Sequence, residues 1–324
     1  MIVPKYWSES QAKTRANDRQ YTIKRFGWSD ISEEDAKRHA DERLDDALKS
    51  LSEQGDVRRV DHKISYNGAE GIPIREEVVA NHQDVVISRN SYGALCLNTP
   101  DVMFADIDLD SAPSTRLVTW AFIGLALVGT AAALVTSSWW VLSATLLVSL
   151  LLASTLAGFI NNRLINRRGG LEQEAITRFK QVCADNPALH LRIYQTSMGF
   201  RILFMEQTYE PTSESAAALL KSLGSDRVYM QMCRNQRCFR ARVSPKPWRV
   251  GIERLRPRPG VWPIKAERLK ERQDWIRAYE RKANDYASCK FMMKLGADIT
   301  DPKAVHVMTL HDDLCKANRE YNLA

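Results

Sequence analysis

"LVTWAFIGLALVGTAAALVTSSWWVLSATLLVSLLLASTLAGFI" runs from Leu117 to Ile160, 44 residues without Asp, Glu, Lys, Arg, His, Asn, Gln or Pro. As one helix it would measure about 66 Å at 1.5 Å per residue, roughly twice the hydrocarbon thickness of a bilayer. The run is therefore expected to fold back on itself. "TSSWW", Thr136–Trp140, supplies the turn: small hydroxyl residues, then two tryptophans that favour the headgroup level. Two spans of about 20 residues result, Leu117–Val135 and Trp139–Ile160. Gly129 and Ala133 form a small-xxx-small pair that lets the helices approach. The competing reading is a buried hairpin in a soluble protein, but soluble helices of this length carry a polar face.

Charge on the flanks orients the hairpin. Arg116 precedes it, Arg163, Arg167 and Arg168 follow it, and the turn carries no charge. The positive-inside rule then predicts an inner-membrane protein with both termini cytoplasmic. The polar N-terminus has no apolar h-region, so no cleavable signal peptide is expected. Six scattered cysteines, in a chain of 324 residues, do not make a disulfide framework. A charged fraction of 26% argues against overall disorder.

Because the two flanks lie on one side of the membrane, they can share one domain. The expected fold class is α+β: a cytoplasmic mixed sheet with helices, interrupted by the transmembrane hairpin. Residues 1–115 supply its N-terminal part, 116–162 the hairpin, 163–260 its C-terminal part and 261–324 a C-terminal helical region. A helix is predicted from Ser32 to Gln54, capped by Ser32 with acidic residues in its first turn. Extended segments follow in "HKISYN", "REEVVA", "DVVISR", "YGALCLN" and "VMFADIDL", with turns at Asn67-Gly68, Gly71 and Asn98-Thr99-Pro100. After the hairpin come a helix from Leu171 to Ala184 and a β-hairpin turning at Gly199. A helix between Ser213 and Gly224, another near Arg227 and a strand in "CFRARVS" come next. A long charged helix is expected to end at Gly296, and a last helix to be capped by Asp301 with Pro302 at its first position.

Two clusters carry chemistry. Asp106, Asp108 and Asp110 fall on alternate positions and so on one face of a strand. Such carboxylates suit hard cations, Mg²⁺ or Mn²⁺. The bland alternative is a solvent-facing strand end. The second cluster is basic. From Arg227 to Lys282 there are 17 Lys or Arg and 5 Asp or Glu, a local net of 17 − 5 = +12 in a chain whose total is +7. Arg234, Arg237, Arg240, Arg242 and Lys246 are the candidates for phosphate, with Phe239 and Trp248 among them. Nucleotide, nucleic acid and anionic lipid headgroups are all suitable partners. His311 and Cys315 are four apart on a helix and could share a ligand face, although a packed helix face explains them as well. Cys233 and Cys238 lack a second pair for zinc. No G-x-G-x-x-G, Walker A or G-x-S-x-G pattern is present.

"FADIDLD", then "YQTSMGFRILF", then a basic strand resembles the order of motifs in the archaeo-eukaryotic primase superfamily. The resemblance covers about residues 84–245 apart from the hairpin. It implies an RRM-like core, Asp106 and Asp108 as the metal-binding pair, and Ser197-Met198-Gly199-Phe200-Arg201 as the hairpin motif. Arg201 stands where that family carries a nucleotide-binding His, and two spans interrupt the core. The implied relative is nucleotide-binding and degenerate, with Arg201 joining Arg240 and Arg242 around phosphate. The alternative is a non-enzymatic membrane scaffold or accessory protein that meets lipid or a protein partner. The sequence specifies no reaction.

Overall fold

A computed structural model describes residues 1, 3–16, 19–61, 72–258, 260 and 262–324. The chain opens with two long antiparallel strands, β1 (Tyr6–Ala16) and β2 (Arg19–Ser29), covered by α1 (Glu33–Gln54). Ser32 caps α1 as expected, accepting from the Asp35 amide at 3.1 Å. Gly55 closes it at φ 72°, where a side chain would cost strain. Ala36, Ala40, Leu44, Ala47 and Leu51 recur every three or four residues and bury one stripe against Tyr21 and Ile23 of β2.

Two four-stranded antiparallel sheets follow. The first has the order β3-β4-β5-β9, from β3 (Glu77–His82), β4 (Val85–Arg89), β5 (Leu95–Thr99) and β9 (Phe239–Arg242). The second has the order β11-β7-β8-β6, from β6 (Phe104–Asp108), β7 (His190–Thr196), β8 (Gly199–Phe204) and β11 (Lys290–Gly296). Two of these pairings, β5 with β9 and β6 with β8, join chain that precedes residue 116 to chain that follows residue 161. "HKISYN", Asn67-Gly68 and Gly71 lie outside the described residues.

Alternation sorts the second sheet into two faces. Ala105, Ile107, Phe200 and Ile202 face α4 (Leu171–Asp185) and α5 (Glu214–Leu223), where Phe179 meets Phe200 edge-on at 5.6 Å. Phe104, Asp106, Arg201 and Tyr194 share the other face. There α8 (Pro302–Cys315) sets His311 against Phe104 and Tyr194, with ring centres 5.3 and 4.7 Å apart. β6 is an edge strand, and its free carbonyls would invite pairing. They are taken up locally. Asp226, the cap of α6 (Arg227–Gln236), donates its amide to the Asp106 carbonyl at 3.1 Å, and the Tyr229 hydroxyl reaches the Phe104 carbonyl at 2.9 Å.

The C-terminal region departs from expectation. The charged helix α7 spans Leu269–Ala283 and stops there. A short strand β10 (Tyr286–Ala287) and then β11 occupy the stretch expected to continue it. Phe291, Met293 and Leu295 pack on the core from β11, and the strand's backbone is paired with β7. That long-range pairing outweighs local helix propensity. α8 is capped as expected, Asp301 accepting from the Lys303 amide at 2.7 Å, and β12 (Asn322–Leu323) pairs with β10.

The apolar insertion is an antiparallel pair, α2 (Thr115–Thr136) and α3 (Trp139–Arg167), both long and apolar enough to cross a membrane. Their mutual seam is small: Ala121, Gly129 and Ala133 against Ser149, Ala153 and Ala157. A Cβ on Gly129 would run into Thr145. Outward, Leu127, Val128, Leu150 and Leu151 each leave 65–71% of their surface exposed. The two ends of the hairpin meet, since Asn161 Nδ2 donates to the Ser111 carbonyl at 2.9 Å. If the hairpin crosses a bilayer, replacing residues 115–160 by a short Gly/Ser linker should move the protein from the membrane fraction to the soluble one. A single cooperative melt is the expected readout; two separate transitions would show that the flanks do not share a core.

Candidate functional site

Where the two sheets approach, β6 and β9 flank a cleft of about 410 Å³. Asp106 and Asp108 come from β6, Arg201 from β8, and Arg240 and Arg242 from β9. Lys246 and Trp248 come from the turn after β9, and Tyr92 from the β4–β5 connection. The charged lining is Glu76, Asp106 and Asp108 against Arg201, Arg240, Arg242, Lys246 and Arg254, a net of 5 − 3 = +2. An anionic ligand fits that balance.

The cations are not equivalent. Arg240 is buried and gives Nη2 to both carboxylate oxygens of buried Glu76 at 2.7 Å. Its Nη1 has only the Cys96 thiol beside it. Arg201 is fully enclosed. It donates to the Arg242 carbonyl at 2.7 Å and stands 3.6 Å from Asp106, its partner across the β6–β8 ladder. Burial disfavours its charge, but Asp106, together with Cys289, Cys315 and Tyr229, more than offsets this and holds the guanidinium protonated. Arg242 and Lys246 differ: among the described residues neither has a carboxylate within ion-pair distance, and Arg242 spends one long 3.3 Å bond on the Ser244 carbonyl.

Electrostatic crowding marks the mouth of the cleft. Burial, then the charges of Arg242 and Arg249, pull Lys246 below the usual lysine range. Arg249 is lowered by burial and by Arg242 in the same way, and it hydrogen-bonds Ser197 in the β7–β8 turn. Opposite them, burial and the neighbouring Asp106 raise Asp108 above the usual carboxylate range. Like charges gathered on each side are what an anion and a cation together would relieve. Trp248 stands over this mouth, 45% exposed and edge-on to Tyr92 at 5.3 Å, with Lys246 and Arg254 within cation–π reach.

Of the residues predicted from sequence, Asp106, Asp108, Arg201, Arg240, Arg242 and Lys246 meet in this cleft. Asp110, Arg234 and Arg237 do not. β6 ends at Asp108, and Asp110 turns into a loop where it accepts from the Ala112 amide at 2.8 Å. Arg234 and Arg237 belong to the last turn and cap of α6, and Arg234 pairs with Glu214 at 3.1 Å. Tyr92 and Glu76 were missed as site residues. Arg249 and Arg254, like Trp248, lie inside the basic run that the sequence marked.

These differences separate scaffold from binding surface. Arg240→Met strands the buried Glu76 carboxylate and is expected to cost about 3–5 kcal/mol of stability. Arg242→Met leaves no buried charge unpaired and should cost no more than about 1 kcal/mol. Denaturant melts of the two variants check the contrast, and equal losses contradict it.

Comparison of this chain with protein-family models, with curated proteins and with solved structures finds no match.

Proposed function

We propose that this is an inner-membrane protein whose hairpin α2–α3 spans the bilayer and whose cytoplasmic α+β domain binds a phosphate-bearing ligand, a nucleotide or nucleic acid, with a divalent metal. The observation that carries the reading is the union of Asp106 and Asp108 with Arg242 and Lys246 in one cleft. The carboxylates would hold Mg²⁺ or Mn²⁺ through oxygen. Arg242 and Lys246 would meet phosphate oxygens. Trp248 and Tyr92 offer a flat ring surface on which a base could stack.

The outward apolar faces of α2 and α3 support insertion, and the arginines at both outer flanks support cytoplasmic termini. A reporter fused at residue 1 or 324 that reads periplasm sinks this orientation. Kinship to the archaeo-eukaryotic primase superfamily remains a proposal of the same kind. With the inserted α2–α3 set aside, β6 is followed by α4, β7, β8 and α5, and this order, with a D-x-D strand beside a hairpin, supports it. Arg201 does not take the role of a ligand-facing His in this reading. It is walled in, and it orients Asp106 and the Arg242 backbone instead.

Titration of the detergent-solubilised protein with a nucleoside triphosphate, with and without Mn²⁺, tests the function. Micromolar or tighter binding is expected. Arg242→Ala with Lys246→Ala should weaken it by at least roughly 100-fold, since each charge-assisted hydrogen bond contributes about 1.5–3 kcal/mol. Asp106→Asn with Asp108→Asn should remove only the Mn²⁺-dependent part. The sign of the pH effect follows from Lys246: the ligand binds its protonated form, so affinity should fall as pH rises through the depressed lysine pKa. If neither nucleotide nor single-stranded nucleic acid binds, the scaffold reading, with anionic lipid or a protein as partner, takes its place.

A further inference from the structure

Directly behind Arg201 lies a second cluster that the cleft does not use. Cys289, between β10 and β11, meets His311 and Cys315 of α8. Their ligand atoms all lie within 4.8 Å of one another, and all three residues are completely enclosed. Cys289 Sγ is 3.8 Å from His311 Nε2.

The surroundings are built to aim these groups. His311 Nδ1 is 3.1 Å from the Asp312 carboxylate, which fixes the tautomer and leaves the Nε2 lone pair facing the sulfurs. Asp312 is itself held by Arg192 at 2.7 Å, by the Tyr194 hydroxyl at 2.6 Å and by Asn318 at 3.2 Å. The backbone clasps the two segments, Ser288 amide to Cys315 carbonyl at 3.1 Å and Phe291 amide to Ala317 carbonyl at 2.9 Å. What Nε2 receives in return is poor. A thiol is a weak donor. The Arg201 Nη1 contact is long at 3.4 Å, and that nitrogen already donates to the Arg242 carbonyl at 2.7 Å. A buried imidazole nitrogen between two thiols, braced from behind by a carboxylate, has the geometry of a metal ligand.

We propose that Cys289, His311 and Cys315 bind a structural Zn²⁺ ion that fastens α8 to the β10–β11 connection and backs Arg201. Two sulfurs and one imidazole nitrogen select a thiophilic ion over Mg²⁺ or Mn²⁺. Binding exchanges two thiol protons for one dication. The local charge stays balanced. Without metal, Asp106 and Asp312 oppose Arg192 and Arg201, −2 + 2 = 0. With it, two thiolates and zinc add −2 + 2 = 0. The positive Arg201 therefore does not exclude the ion, and it can donate to a thiolate sulfur. Three protein ligands leave one position of the tetrahedron, which a water carried in with the ion would take, so the site would differ from a closed four-ligand structural site. The site is independent of the cleft's ligand, so either assignment can fail alone.

The full-length protein, purified in detergent from zinc-supplemented cells without chelator, is expected to carry about one zinc per chain. X-ray absorption should show two Zn–S distances near 2.3 Å and nitrogen near 2.0–2.1 Å. Cys289→Ser and Cys315→Ser should each lower zinc content at least tenfold after dialysis, while Cys183→Ser, a buried cysteine outside the cluster, should keep it. If the cluster variants do not fold, the wild-type spectrum decides. Less than one-tenth equivalent of zinc, a spectrum without sulfur, copper in zinc's place, or full zinc retention in a folded Cys315→Ser protein would each overturn the assignment.

Discussion

The pairing of β6 with β8, and within it Asp106 opposite Arg201, is the constraint on which the rest depends. A guanidinium enclosed by protein must stay charged, so it needs acceptors already in place. Asp106 and the Arg242 carbonyl provide them, one from before the apolar insertion and one from after it. Gly199 makes the register possible, because a Cβ there would run into the Ile107 carbonyl. Once the register is set, Asp108 lies at the strand's end facing Lys246, and α8 covers the remainder of that face. The cleft is what α8 and β9 leave open.

Local chemistry was readable in the sequence wherever it was local. Ser32, Ser213 and Asp301 cap helices through their own neighbours, and the structure has each bond. Uninterrupted apolar composition marked α2 and α3, and short extended segments set off by turn residues marked β3 to β8. The strand β1 escaped because "YWSESQAKTRA" is polar on both faces, and β2 was passed over although Tyr21 and Ile23 alternate onto the face that α1 covers. β11 escaped because its partner β7 is about a hundred residues away, while the charged helix before it suggested continuation.

The site was half readable for the same reason. A period of two is visible on paper past the point where the strand stops, so Asp110 looked equivalent to Asp108 although the loop turns it away. A run of arginines carries no mark of which are already committed. Glu76, which occupies Arg240, lies 164 residues before it. Tyr92 reaches Trp248 only through the fold. His311 and Cys315 had the spacing of a ligand pair, but Cys289 is brought to them by tertiary packing alone.

The carboxylates stand near the apolar hairpin because β6 leads almost directly into α2, and Asp108 borders both the cleft and the recess at the hairpin's base, with Asn161 and Arg168. Under the proposed membrane insertion, a ligand bearing phosphate would sit beside an anionic leaflet, and the cations around the cleft would offset that repulsion. Photolabelling with an 8-azido purine nucleotide in the presence of Mn²⁺, followed by peptide mapping, tests the claim that this cleft holds the ligand. The account predicts saturable adducts on the peptides containing Tyr92 or Trp248, displaced by unmodified nucleotide. Labelling that does not saturate, or that maps only to surfaces away from β6 and β9, would contradict it.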